Sequence, residues 1–77
     1  MQDQDVIDAL GLLCPLPVLK LRKRIKTLKN GDIISLKADD PAAVVDVPHF
    51  CAEAGHKLVE MVDEAEFTLF RVQKAGN

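Results

Sequence analysis

Apolar residues recur at helical spacing between the prolines at positions 15 and 17 and the Asn-Gly pair at positions 30 and 31. The repeating positions are Val18, Leu21, Ile25 and Leu28. This spacing predicts an amphipathic helix over residues 15–29, with a narrow apolar stripe facing a core. Asn30-Gly31 supplies its C-terminal stop, because either residue accepts the left-handed backbone conformation.

Four further segments are predicted to be β-strands, the first because it is short and begins with β-branched residues, and the other three because apolar and polar side chains alternate in them. They cover residues 6–10, 32–38, 57–63 and 66–73. In the second segment Ile34, Leu36 and Ala38 share one face. The last two segments are separated by Glu64-Ala65, which predicts a tight hairpin turn.

A second helix is predicted after the second strand, because Asp40 can cap it and Pro41 suits its first turn. Asp39 and Asp40 are therefore interpreted as turn and cap residues rather than as acid-base groups. The apolar face of this helix is expected to hold Val44, Val47, Cys51 and Ala54. Pro48 lacks an N–H inside the segment, so we expect two short helical pieces, with Asp46 capping the second.

The elements follow the order βαβαββ along a chain of 77 residues. With 48% hydrophobic residues the chain can supply one small core and has no room for a second domain. We expect a single domain over residues 1–77, with an ordered core over about residues 5–74. The fold class is an α/β (α+β) two-layer sandwich, in which a four-stranded mixed sheet carries two helices on one face.

The chain contains two cysteines, no secretory apolar segment and no apolar run near the roughly 20 residues that span a bilayer. We therefore expect a cytoplasmic monomer with reduced thiols and no membrane contact. Six of the ten basic residues lie between Pro17 and Asn30, with no acidic residue among them. They are Lys20, Arg22, Lys23, Arg24, Lys26 and Lys29. The cluster suits a solvated helix face, and equally a surface that docks to an acidic protein or a nucleic acid.

Cys14 stands directly ahead of the first predicted helix. With Cys14 as N-cap, Pro15 and Pro17 fall at the first and third helical positions, where a missing N–H removes no helical hydrogen bond. The positive end of the helix dipole and the free N–H of Leu16 then favour the thiolate, so we predict a lowered pKa for Cys14. A functional thiol is favoured over a small buried hydrophobe.

The other reactive groups lack the spacing of known centres. Cys51 is expected to be buried and structural, because it lies in the apolar stripe of the second helix. His49 on the outer face and His56 after the helix do not form a metal-binding pair, so neither a metal nor a cofactor is predicted. A cysteine protease or acyltransferase would need His49 or His56 brought beside Cys14 by tertiary folding, and a redox CxxC pair is absent.

Leu16 and Leu19 point away from the apolar stripe of the first helix, so both are expected to be exposed near the thiol. Such leucines can be incidental. If they are functional, they form an apolar contact around Cys14, bordered by Lys20 and Lys23, onto which a partner protein presses.

Four segments together resemble the TusA-like (SirA-like) sulfur-carrier family. They are Gly-Leu-Leu-Cys-Pro-Leu-Pro at residues 11–17, Asp-Pro-Ala at 40–42, Asp-Val-Pro-His-Phe-Cys at 46–51 and Gly-His at 55–56. The resemblance extends over nearly the whole chain. It implies a βαβαββ sandwich in which Cys14 accepts a sulfane sulfur as a persulfide and passes it on.

In this family resemblance Gly11, Pro15, Leu16 and Pro17 support the reactive Cys14. The implied sulfur donor is a cysteine desulfurase or a rhodanese-type sulfurtransferase. The implied acceptor is a protein of tRNA thiolation, molybdenum-cofactor assembly or sulfur oxidation. Such a chain is a sulfurtransferase-like carrier, and no independent turnover is expected of it.

Two other interpretations stay open at the level of sequence. The chain could be a regulatory or nucleic-acid-binding module that uses the basic first helix, with Cys14 incidental; three Phe and no Trp or Tyr leave few groups for base stacking, so direct nucleic-acid binding is disfavoured. It could also be a redox sensor that joins Cys14 to Cys51 in a disulfide, which the expected burial of Cys51 disfavours.

Overall fold

The structure, a computed structural model, describes residues 6–75 and contains six elements in the predicted order. They are strand β1 (Val6–Ala9), helix α1 (Leu16–Ile25), strand β2 (Ile33–Ala38), helix α2 (Ala43–Ala54), strand β3 (Lys57–Asp63) and strand β4 (Thr68–Gln73). The βαβαββ order is confirmed. Among residues 6–75, neither helix has the length and apolar character that a membrane span requires.

The four strands form one mixed sheet in the order β1-β2-β4-β3. β1 runs parallel to β2, with Ala9 opposite Ala38 at their C-terminal ends, and β4 is antiparallel to both of its neighbours. β4 begins later than predicted because the N–H of Glu64 donates to the carbonyl of Phe67 and widens the hairpin turn. Since β1 and β2 are parallel neighbours, the loops that leave their C-terminal ends meet at one edge of the sheet.

Both helices cover the same face of the sheet and share one core, as predicted. α1 contacts β1 and β2, α2 contacts β3 and β4, and the two helices contact each other. The buried apolar residues are Ile7, Ala9, Val18, Leu21, Ile25, Ile34, Leu36, Ala38, Ala43, Val47, Phe50, Cys51, Phe70 and Val72. The apolar stripe of α1 is confirmed, with Leu28 packing at the edge of this core.

Helix α1 ends at Ile25 instead of continuing to residue 29. The Thr27 hydroxyl donates to the carbonyl of Arg24 at 2.7 Å, and the Thr27 N–H donates to the same oxygen at 3.0 Å. Lys74 Nζ, from beyond β4, donates to the carbonyl of Leu28 at 2.7 Å. These bonds satisfy carbonyls at the helix end without further helical turns, and the last one comes from a segment distant in sequence.

Helix α2 is continuous, and the prediction of two pieces divided at Pro48 is wrong. Pro48 removes only the bond that its N–H would donate to the carbonyl of Val44. Val44 is 41% exposed, so the prediction that it joins the apolar face is also wrong. The buried residues of α2 are Ala43, Val47, Phe50 and Cys51. Because they pack against the core on both sides of the proline, the helix stays in one piece.

His56, which comes directly after the C-cap Gly55 of α2, is expected to make the stability of the fold pH-dependent. His56 Nδ1 accepts a hydrogen bond from the N–H of Ala75 at 3.2 Å. Desolvation and the nearby Lys74 ammonium lower the pKa of His56 from its ordinary value of 6.5. The unfolded chain therefore binds the proton first, and this contribution to stability is lost as pH falls below 6.5.

We expect the free energy of unfolding to fall between about pH 7.5 and about pH 5.5, and to fall less in His56→Gln. Urea denaturation of both proteins at the two pH values measures the difference. An equal pH dependence in the two proteins would contradict the role given to His56.

Candidate thiol site

Two aspartates join the loops that meet at the sheet edge. The N–H of Gly11 donates to Asp39 Oδ1 at 2.9 Å, and the N–H of Cys14 donates to Asp40 Oδ2 at 2.6 Å. Asp40 Oδ1 accepts from the N–H of Ala42 at 3.1 Å in a turn that precedes α2. Ala42 is the N-cap of α2, so the prediction that Asp40 caps this helix is wrong. Gly11 has a φ of 80°, where a side chain would be strained. Residues 11–14, called the thiol loop, are thus fixed by two carboxylates from another loop.

Cys14 lies before helix α1 and is not its N-cap, contrary to the prediction. Pro15 is the N-cap, and Leu16 and buried Pro17 take the first two helical positions. Neither proline removes a helical hydrogen bond there. The Leu16 N–H donates to the carbonyl of Leu13 at 2.8 Å, so it is not available to the thiol as we expected. The Cys14-Pro15 peptide bond is cis.

The exposed Cys14 thiol opens into a groove of about 160 Å³ between α1 and α2. The groove is lined by Cys14, Pro15, Val18, Arg22, Asp46, His49, Phe50 and Glu53. Its floor includes a cation–π contact, with the Arg22 guanidinium carbon 5.3 Å from the centre of the Phe50 ring. The thiol is therefore open to another macromolecule, and the groove is too small to enclose a large substrate.

The prediction of a lowered pKa for Cys14 is wrong, because its surroundings raise this pKa from the ordinary value of 9.0. The largest cause is the hydrogen bond that the thiol donates to the Asp46 carboxylate. Desolvation and the negative charges of Asp46 and Asp40 also disfavour the thiolate. The helix dipole does not offset these effects, since Cys14 stands outside the first turn of α1.

The face of α2 that borders the groove was not predicted from the sequence. Asp46 caps no second helical piece; it lies in the first turn of α2, lines the groove and is the largest cause of the raised pKa of Cys14. His49 Nε2 lies 3.4 Å from Glu53 Oε2, and both side chains are exposed, as predicted for His49. Asp46, His49 and Glu53 are three and four residues apart, which indicates that they share one helix face. Nothing in the local sequence places that face beside Cys14.

The predicted partner-contact residues are exposed. Leu16 and Leu19 are 46% and 47% exposed, and Leu13, which we did not single out, is 69% exposed. These three leucines are called the leucine patch. Lys20 and Lys23 are exposed on the same helix. These apolar and basic side chains are thus exposed on the chain segment around Cys14, and their role in docking stays a prediction.

Cys51 is buried as predicted, at 3% exposure, and burial raises its pKa. Cys14 and Cys51 are both free thiols. Within the part of the chain that the structure describes, no group of His, Cys, Asp and Glu side chains is arranged to hold a metal ion. Among the groups considered, the exposed Cys14 thiol is the one open to group-transfer chemistry.

Relatives of known family match nearly the whole chain. The family model described as "Sulfurtransferase TusA" matches residues 5–74. The sulfur carrier protein TusA of Pseudomonas paraeruginosa is 39% identical over 72 residues, which are 94% of this chain and 91% of the relative. The sulfur carrier protein TusA of Buchnera aphidicola is 35% identical over 72 residues, with the same coverage of each chain.

A solved structure supports the fold independently. The crystal structure of a SirA-like protein from Desulfitobacterium hafniense matches with a TM-score of 0.78 and 21% identity, and covers 96% of this chain and 100% of that one. The family resemblance read from the motif residues is confirmed by the family model and by the sequence relatives. The chain belongs to the TusA sulfurtransferase family.

Proposed function

We propose that this protein is a sulfur carrier in which Cys14 accepts a sulfane sulfur as a persulfide and passes it to an acceptor protein. The observation that carries the proposal is the exposed Cys14 thiol on a loop fixed by Asp39 and Asp40, in a member of this family. A carrier must present one thiol to two successive partners. An open groove on a fixed loop meets that need better than an enclosed pocket.

The proposed reaction is an exchange between two cysteines. The Cys14 thiolate attacks the outer sulfur of a persulfide on the donor, and the donor's sulfur–sulfur bond breaks. Its electron pair leaves with the donor cysteine, which takes up the proton that Cys14 gives up. The donor ends as a thiol and Cys14 as a persulfide, so no external oxidant or reductant is needed. The same exchange then moves the outer sulfur to the acceptor.

The proposed partners are those that the family resemblance implies. The donor forms a persulfide itself, as a cysteine desulfurase or a rhodanese-type sulfurtransferase does. The acceptor uses the sulfur in tRNA thiolation, molybdenum-cofactor assembly or sulfur oxidation. The carrier supplies a nucleophile and a docking surface, with Gly11, Pro15, Leu16 and Pro17 shaping the entrance to α1, and makes no independent turnover.

Loading by a donor tests the proposal. Wild-type protein is incubated with a cysteine desulfurase and free cysteine, or with a rhodanese and thiosulfate, and its intact mass is measured. We expect a gain of one sulfur atom that dithiothreitol removes. If neither donor adds sulfur while both are active with another acceptor, the proposal fails.

The leucine patch is expected to form the contact with the donor. Replacing Leu16 and Leu19 together by serine removes apolar area that docking would bury, worth about 1–2 kcal/mol for each side chain. We expect donor-dependent loading at limiting carrier concentration to slow by about tenfold or more. Stopped loading reactions measured by intact mass give the rate.

Two matched changes separate docking from folding. Val6→Ser alters an exposed apolar side chain at the far end of β1, 52% exposed, and should leave the loading rate near that of wild type. Reversal of charge at Lys20 and Lys23 should slow loading more at low salt than at high salt, because exposed charges are screened. A double leucine variant that loads at the wild-type rate would show that the patch is incidental.

A further inference from the structure

The Cys14 thiol is surrounded by charged groups from three elements. Asp46 in α2 lines the same groove as Cys14, and Asp40 in the β2–α2 loop accepts a hydrogen bond from the N–H of Cys14. The remaining charged or titratable groups of the groove are Arg22 from α1 and His49 and Glu53 from α2. Two carboxylates therefore stand near Cys14, on a surface open to solvent.

Arg22 and His49, which line the groove, already have contacts of their own. The Arg22 guanidinium stacks on the Phe50 ring, and His49 lies beside Glu53. Asp46 lines the same groove as Cys14, and its carboxylate raises the pKa of the thiol. A carboxylate in this position stabilises the thiol as a hydrogen-bond donor and repels the thiolate.

We propose that Asp46 is a positioning residue that restrains the Cys14 thiol in the free protein, and that a lysine or arginine side chain of a partner protein releases it by pairing with Asp46. The cation would take the place of the thiol at the carboxylate and offset the negative charge that opposes the thiolate. The partner's role rests on the proposed carrier function. The restraint itself is a property of the free chain and can be tested without any sulfur donor.

Alkylation of the free protein measures the restraint. The Cys14 thiolate displaces iodide from iodoacetamide and forms a thioether, and the rate is followed on the Cys14 peptide by mass spectrometry. Each unit by which the pKa falls raises the thiolate fraction tenfold and lowers its nucleophilicity about threefold. We therefore expect Asp46→Asn to react about threefold faster for each unit of pKa that it loses, with its rate profile displaced to lower pH.

Charged reagents test whether the site favours cations. Methanethiosulfonates carrying a trimethylammonioethyl or a sulfonatoethyl group react alike: the thiolate attacks the sulfenyl sulfur, a disulfide forms and methanesulfinate leaves. Relative to the rate with neutral iodoacetamide, removing the Asp46 charge should lower the rate with the cationic reagent and raise the rate with the anionic reagent. Each change should be roughly threefold at low salt. The ratio of cationic to anionic rates is thus expected to fall by about tenfold in Asp46→Asn.

Glu64→Gln, which removes a carboxylate from the exposed β3–β4 turn, is the matched control and should leave rates and ratio unchanged. Circular dichroism confirms that each variant is folded. A folded Asp46→Asn whose iodoacetamide rate, pH profile and reagent ratio equal those of wild type would overturn the proposal. If Asp46→Asn shows the expected changes in alkylation rate and reagent ratio but wild type takes up no sulfur, the carrier function fails and the restraint by Asp46 stands. The two failures are therefore distinguishable.

Discussion

Cys14→Ser is expected to abolish sulfur loading, because a serine hydroxyl is neither ionised near neutral pH nor able to form a persulfide. Cys14 is the exposed thiol of the described chain, whereas Cys51 is buried in the core. Incubation with an active desulfurase and cysteine should leave the mass of Cys14→Ser unchanged, while wild type gains one sulfur atom. Intact-mass measurement over time gives the result.

Cys51→Ala is the matched control for that variant. Alanine keeps an apolar side chain at a buried site and adds no unsatisfied polar group, so the fold is expected to lose only about 1 kcal/mol or somewhat more from the small cavity. Loading of Cys51→Ala should match wild type. Sulfur on Cys14→Ser, or full loss of loading in folded Cys51→Ala, would move the reactive role away from Cys14.

Asp40→Asn is expected to weaken both stability and loading. The two oxygens of Asp40 accept from two N–H groups, those of Cys14 and Ala42. An amide has one oxygen, so one of these N–H groups must face the NH₂ of the asparagine. We expect a loss of about 1–3 kcal/mol in the free energy of unfolding, and slower loading because the thiol loop is less firmly placed.

Asp39→Asn provides the comparison for Asp40→Asn. Asp39 accepts from Gly11 through Oδ1, and an asparagine oxygen can take over that bond. Urea denaturation and loading should therefore show a smaller effect than in Asp40→Asn. Equal effects at the two positions would mean that charge in this loop matters, rather than the two-oxygen contact of Asp40.

Local patterns predicted the features that depend on neighbours in sequence. The helical spacing of Val18, Leu21 and Ile25 predicted the buried face of α1, and the same reasoning placed Leu16 outside it. The burial of Cys51 followed from its position in the apolar repeat of α2. These predictions succeed because a helix period and a core face are decided within a few turns of chain.

Long-range contacts explain the errors. The Asp40–Cys14 bond joins residues 26 positions apart, and Lys74 helps to end α1 from the far end of the chain. The parallel pairing of β1 with β2 is the signal that could have placed Asp39 and Asp40 beside the thiol loop. The raised pKa of Cys14 depends on Asp46, whose position follows from the packing of α2 beside α1 and not from any local motif.

Mapping the added sulfur in the wild-type protein tests the central claim most directly. Trypsin separates the two cysteines, since cleavage after Lys20, Lys37 and Lys57 leaves Cys14 and Cys51 on different peptides. Protein loaded by a desulfurase is trapped with an alkylating reagent, digested and analysed by mass spectrometry. We predict an alkylated persulfide on the peptide of residues 1–20 and none on that of residues 38–57. Sulfur found on the Cys51 peptide alone, or on neither peptide of a protein whose mass has increased, would contradict the account.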